Sequence, residues 1–312
     1  MVPTEAFDPV AFKESQRTDW QTAAPGWRRW YDVVEAEAGG QVVSRKLVEL
    51  AGLGPGDTVL DVATGYGEPA LTAARAVSPG GRVVATDIAE DMLAFGRERA
   101  VQAGLDNIEF LAADAEALRF DDETFDAILS RQGLQFLPDV PGTLRRFHSI
   151  LKSEGRLATA VWGPLETVQF ALPIPVIFKE LELPPPPPGR PGPFALADAG
   201  TLARLVSDAG FRDVETGTVT AIYETASPED FTQWTRDVAP PIVNLVKGQP
   251  PEVQERVWRK VTEAWAPLVT RKARPHREQG NMGGGHEVGA WTLLKGSVSP
   301  STSSHAFPHR SR

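Results

Sequence analysis

The chain has 312 residues, 41% of them apolar and 23% charged, with no cysteine and a formal charge of −9. This is enough for one full α/β core plus a further helical layer, and the missing thiol excludes disulfides, thiolate metal sites and cysteine nucleophiles. From Arg271 onward seven Lys/Arg stand against two acids, so the tail carries +5 and the preceding body −14, a balance that argues against nucleic acid as partner.

In chain order, Met1 to Lys13 carries Glu5, Asp8 and Lys13 without an apolar leader core, which reads as a cytoplasmic protein. Residues 14 to 50 read as one or two helices rich in aromatics, with Trp20, Trp27, Trp30 and Tyr31 close together. The glycine run Gly52, Gly54, Gly56 precedes its strand and reads as a turn, because ligand loops in α/β folds follow the carboxyl end of a strand. From Thr58 to Thr159 short apolar runs alternate with helical patterns, the signature of βα units and a mostly parallel sheet with right-handed crossovers. The strands are expected at Thr58–Thr64, Arg82–Asp87, Ile108–Ala113, Phe125–Ser130 and Arg156–Trp162. Pro69 suits a first helical position, while Gly104 and Gly155 lie where helices should stop.

The apolar run Phe170–Phe178 is broken by Pro173 and Pro175 and is too short to cross a bilayer, so no membrane span is expected. Leu183–Pro193 contains five consecutive prolines and reads as a stiff polyproline insertion. A helix over Ala197–Gly210, a sixth strand over Val214–Val219 and a helical segment over Pro228–Leu268 follow. His276, His286, His305 and His309 fall in a polar tail without a metal-ligand pattern, and no metal is expected. The organisation that results is a helical cap over 1–50, an α/β core over 51–220 with its insertion at 183–193, a helical lid over 221–270, and a weak last strand with a disordered tail over 271–312.

The chemistry concentrates at three strand ends. In Val59-Leu60-Asp61-Val62-Ala63-Thr64-Gly65-Tyr66-Gly67-Glu68-Pro69 a buried strand runs into a glycine turn, where Gly65 and Gly67 let a ligand approach the main chain. Asp61 beside that turn suits a ligand with an ammonium group and argues against phosphate. Asp87 closes the second strand about twenty residues beyond the glycines, where a carboxylate accepts both hydroxyls of a ribose. Asp114, after the third strand, reaches the same edge and can bond an adenine amino group.

Together these motifs resemble the class I S-adenosylmethionine-dependent methyltransferases, nearest to the ubiquinone/menaquinone biosynthesis subgroup, over Ala51–Trp162 and more loosely over Ala197–Val219. The resemblance implies a doubly wound, mostly parallel, seven-stranded Rossmann-like sheet. It implies S-adenosyl-L-methionine as cofactor, with S-adenosyl-L-homocysteine as product, and methyl transfer to carbon, oxygen or nitrogen of a small acceptor. The cofactor residues it implies are Asp61, Ala63, Gly65, Tyr66 and Gly67, then Asp87, Ile88 and Met92, then Asp114 and Ala115, with Arg131 from the segment Ser130–Phe136. Where many members carry a third glycine this chain has Pro69. The family's antiparallel seventh strand has only Val288–Leu294 to supply it, a poor strand that points to an altered carboxyl end.

Methyl transfer from a sulfonium releases a neutral leaving group, so positioning does much of the work and no triad is expected. Tyr66, Phe136 and Trp162 are candidates for an aromatic face near the sulfonium. Arg131, Gln132 and Gln135 are the acceptor-facing candidates, and His148 is the core's one histidine base, although its spacing with Leu144, Phe147 and Leu151 also fits helix packing. Trp20, Trp27, Trp30, Tyr31, Tyr223 and Trp234 could line an apolar or aromatic acceptor pocket, and a homodimer is compatible with the pattern. Two other readings stand beside this one. A non-catalytic scaffold shares the fold, and a nicotinamide-dependent oxidoreductase would need a third glycine that this loop lacks.

Overall fold

A computed structural model describes residues 7–184, 189–270 and 289–299. The elements in chain order are α1 (Pro9–Arg29), α2 (Tyr31–Val34), α3 (Gly40–Ala51), β1 (Thr58–Val62), α4 (Ala70–Val77), β2 (Arg82–Asp87), α5 (Glu90–Gln102), β3 (Ile108–Ala112), β4 (Phe125–Arg131) and α6 (Val140–Ile150). They continue with β5 (Leu151–Trp162), α7 (Pro173–Glu180), α8 (Ala199–Asp208), β6 (Arg212–Ala221), α9 (Pro228–Val238), α10 (Pro240–Lys247), α11 (Pro251–Thr270) and β7 (Gly289–Ser297).

The strands form one seven-stranded sheet in the order β3-β2-β1-β4-β5-β7-β6. The first five are parallel, and β7 runs antiparallel to both neighbours. Strand order reverses between β1 and β4, which opens a crevice at their carboxyl ends. Because helices cover both faces, the central strands are apolar on both sides. In β1, Val59 joins the core under α3, α4 and α5, while Leu60 and Val62 join the core under α6 and α8, the period of two expected of a pleated strand.

Most expected elements form within a residue or two of their sequence limits. Helix α4 begins at Ala70, one residue after Pro69, and Gly104 takes the left-handed conformation (φ +66°) after α5. Gly52 closes α3 in the same conformation (φ +60°), so the early glycine run is a turn. Three departures are informative. The amino-terminal region is three helices rather than one or two. Helix α6 stops at Ile150, and Gly155 lies within β5, where the pairing jumps from Phe125↔Leu151 to Ala127↔Arg156. The last strand is complete: β7 sits between β5 and β6, pairing Trp291 with both Trp162 and Val219. The degenerate end expected there does not hold, because the strand draws its pairing from two neighbours instead of one edge. The prolines at 185–188 and the tail histidines lie outside the described residues. Among the described residues no helix is long and apolar enough to cross a membrane.

Candidate cofactor and acceptor site

The loop after β1 is held on two sides. Ala63 and Gly65 turn the chain in the left-handed region (φ +58° and +56°), a conformation an alanine adopts only under constraint. The Thr64 N–H donates to the Thr86 carbonyl of β2 at 2.9 Å. Asp87 Oδ2 accepts the Gly65 N–H at 2.8 Å, and its Oδ1 accepts the Ala89 N–H at 2.9 Å. Burial pushes the Asp87 carboxyl up from its ordinary pKa, and these main-chain N–H groups oppose the shift.

Asp61 does something else. Fully buried, it accepts Thr64 Oγ1–H at 2.6 Å and the Ala70 N–H at 2.9 Å. It therefore braces the loop and caps α4 from behind, outside the lining of the cavity in front. Burial pushes its pKa up to about 7. Gly67 also stands behind the loop, against α5, where an added Cβ would come within 3.3 Å of Gly96 Cα.

The cavity has a volume of about 290 Å³. Of the sequence candidates, Ala63, Gly65, Tyr66, Asp87, Ile88, Met92, Asp114, Ala115, Arg131 and Gln132 line it. Gln135 is buried beside them, its amide donating to Gln132 Oε1, and does not line the cavity. His148 is remote: its ring packs edge-on against Phe211 at 5.3 Å, between α6 and the start of β6, which removes it as a base.

The aromatic candidates divide in the same way. Trp20, Trp27, Phe136, Trp162, Tyr223 and Trp234 line the cavity. Trp27 lies 5.5 Å from Tyr66 at 30°, and Trp20 meets Phe136 edge-on at 5.5 Å. Trp30 is turned away, its indole N–H donating to Asp237 Oδ2 at 2.8 Å. Tyr31 packs outside the cavity against Phe95, under the Arg99 guanidinium. Phe170, Ile174 and Trp291 complete the apolar wall. Sequence reading missed these three, because nothing local marks residues brought together by sheet closure.

A polar network beneath the loop was also unforeseen. Arg131 donates to Glu35 Oε1 at 2.6 Å, Tyr66 Oη at 3.0 Å, Ser44 Oγ at 3.1 Å and the Gly40 carbonyl at 3.0 Å. Tyr66 donates to Glu35 at 2.7 Å. Gln41 Nε2 joins Glu35 to Glu68, at 2.9 and 3.0 Å. Burial opposes the charge on Arg131, but Glu35 and Tyr66 hold its pKa well above the ordinary value. With its donors engaged this way, Arg131 ties the helical cap to the sheet. At the far edge Asp114 accepts the Glu116 N–H at 2.9 Å and Lys13 Nζ at 2.6 Å, and Lys13 also reaches Glu116 at 3.0 Å. A helix-borne lysine thus crosses the cavity edge from α1, a contact with no sequence signal because the partners lie 101 residues apart.

The ubiE/COQ5 methyltransferase family model matches residues 40–179. The ubiquinone/menaquinone biosynthesis C-methyltransferase UbiE of Cronobacter sakazakii is 33% identical over 194 residues, covering 57% of this chain and 77% of that protein. The chain belongs to the ubiE/COQ5 methyltransferase family. Its match to UbiE of Teredinibacter turnerae is 42% over 111 residues, which is 35% of this chain and 45% of that one, so the chain spans less than half the length of that relative. In fold it is similar to Haemonchus contortus phosphoethanolamine N-methyltransferase 2, with a TM-score of 0.53 at 16% identity over 96% of this chain and 61% of that one. The MccD protein gives 0.50 at 14% identity over 82% and 96%. Family membership agrees with the resemblance read from the strand-end motifs. The family model covers the loop and all three strand-end acids but none of α1, α9, α10 or β7.

Proposed function

We propose that this protein transfers a methyl group from S-adenosyl-L-methionine to a small apolar or aromatic acceptor in the cytoplasm. The observation that carries the reading is one cavity with two kinds of wall. Along the carboxyl edge of β1, β2 and β3 stand a constrained main-chain loop and the carboxylates Asp87 and Asp114; opposite them stand mostly aromatic side chains. This donor set fits a sulfonium-bearing nucleoside better than a dinucleotide, because the Glu68 carboxylate lines the cavity at the loop after β1, where a pyrophosphate would lie.

When bound, the cofactor supplies an electrophilic methyl group on a cationic sulfur. Asp87 would hold the ribose hydroxyls with the lone pairs left free by Gly65 and Ala89. Asp114 and Ala115 would face the adenine, with Ile88 and Met92 against its ring. Ala63 and Gly65 would support the amino-acid portion through the main chain. Tyr66 and Trp27 offer electron-rich faces to positive charge. The apolar wall of Phe170, Trp234 and Trp291 would hold the acceptor and exclude water, so that orientation supplies the acceleration. Since His148 is remote and water is excluded, an acceptor that must lose a proton would arrive already ionised.

Calorimetric titration with S-adenosylmethionine, S-adenosylhomocysteine and NADH tests the reading. Binding of the first two without the third is the expected result. Binding of NADH, or of none of the three by folded protein, overturns it.

A further inference from the structure

The polar network beneath the loop does not balance its charge. Arg131 is its cation, and the guanidinium is spent on Glu35 at 2.6 Å, both side chains being almost inaccessible. Glu68, in the loop between Gly67 and Pro69, remains. It is 3% exposed, lines the cavity, and accepts hydrogen bonds from two neutral donors, Gln41 Nε2 at 3.0 Å and Thr72 Oγ1 at 2.7 Å. No ion pair holds it among the described residues. Arg131 acts on Glu68 through the network but is shared with Glu35, and a carboxylate kept in a low-dielectric wall with no ion-pair partner of its own raises the free energy of the empty site. It lowers the free energy of any cation placed beside it. Tyr66 lines the same stretch of cavity and would add its ring face to that attraction.

We propose that Glu68 is a charge-selecting residue of the site, which favours the sulfonium of the methyl donor over the neutral thioether left after transfer. The inference rests on the cofactor reading above and adds to it a residue with a defined job. Asp87 and Asp114 face parts of the cofactor that are the same before and after transfer. Glu68 responds to the charge that disappears in the reaction. Its surplus field would lower affinity for the spent cofactor and so promote product release; burial and the neighbouring Glu35 charge raise the Glu68 pKa, while Arg131, Thr72 and Gln41 oppose that shift and favour the ionised form.

The test is calorimetric titration of the full chain and of Glu68→Gln with three ligands of one shape: S-adenosylmethionine, sinefungin, which carries an ammonium where the methylsulfonium stands, and S-adenosylhomocysteine. The substitution is expected to weaken the two cations about tenfold, between the fully solvated and the intermediate-dielectric limits for one close charge pair, while the neutral ligand changes less than about twofold. A purely structural Glu68 would shift all three together. An equal shift for all three, or no shift for any, overturns the proposal. Should the variant not fold, the native protein still decides: both cations are expected to bind more tightly than the thioether, and tighter thioether binding refutes the role of Glu68. Binding of all three without charge preference sinks this inference alone, whereas binding of none by folded protein sinks the cofactor reading too.

Discussion

The two ends of the cavity are built by different physics. At the strand-end side, main-chain geometry does the work: constrained loop residues, N–H groups fixed on Asp87, and the carboxylates Asp87 and Asp114 beyond β2 and β3. At the opposite side, helices α1 and α9 with strand β7 supply aromatic bulk, α10 adds Pro241 and Ile242, and there is little polar geometry. The first end's loop and strand-end acids lie inside the segment the family model matches; of the second end, Phe136, Trp162, Phe170 and Ile174 lie inside it, whereas α1, α9, α10 and β7 lie outside. The difference teaches where selectivity should be sought. A ligand shared by a family is met by backbone and strand ends that the fold fixes, whereas a ligand peculiar to one protein is met by side chains on elements the sheet does not dictate.

The largest expected effect comes from the network that joins the ends. Glu35→Ala leaves the Arg131 guanidinium buried without its carboxylate, and removal of one partner of a buried ion pair costs about 3–5 kcal/mol. Thermal unfolding should show a drop of many degrees, and an unchanged melting temperature would mean that cap and core are not coupled through this pair. Next, Asp87→Ala removes both the loop's anchor and the proposed ribose partner. Hydrogen bonds to a charged group are worth about 1.5–3 kcal/mol, so affinity for S-adenosylhomocysteine should fall about a hundredfold by calorimetry. Retained affinity would shift recognition away from the strand ends.

Asp61 gives a pH test of smaller size. Its folded pKa of about 7 lies above the ordinary 3.8, so the ligand-free folded state binds the extra proton across that window. The contribution of Asp61 to stability is greatest below the ordinary value and is lost as pH rises towards 7, with a slope of at most about 1.4 kcal/mol per pH unit. Asp61→Asn should flatten the fall in melting temperature between pH 5 and 7, and parallel curves for the two proteins would refute the assignment. The smallest effect concerns the Lys13 contacts at the cavity edge. Lys13 and its partners Asp114 and Glu116 are partly exposed, and such pairs are worth at most about 1 kcal/mol. Lys13→Ala should therefore speed release of S-adenosylhomocysteine by no more than about fivefold in stopped-flow fluorescence, and an unaltered rate would free α1 from any gating role.

Much of the first end was legible in the sequence. Continuous apolar runs marked β1, β2 and β4 because both faces of a central strand are covered, and glycines with strand-end acids marked the loop. The direction of Asp61 was not legible. Whether a strand-end carboxylate faces the ligand or the helix behind depends on the pleat and on who donates to it, here Thr64 and Ala70. Glu35 and Arg131 lie 96 residues apart; Arg131 falls in the segment Ser130–Phe136 that carries the family resemblance, but nothing in the sequence marks Glu35 as its partner. Strand β7 was undervalued because its flanks are rich in glycine and serine, while its stability comes from pairing on both edges, which no local window contains. His148 was read with two outcomes open, and the packing one holds, since the helical spacing that places Leu144 and Phe147 in the core turns it toward Phe211.

The most direct test of the two-ended account is hydrogen exchange of the whole protein with and without S-adenosylhomocysteine. The account predicts slowed exchange over residues 63–67, 87–92 and 113–117, with 228–247 unchanged. Protection confined to 228–247, with none at the loop after β1, would contradict it.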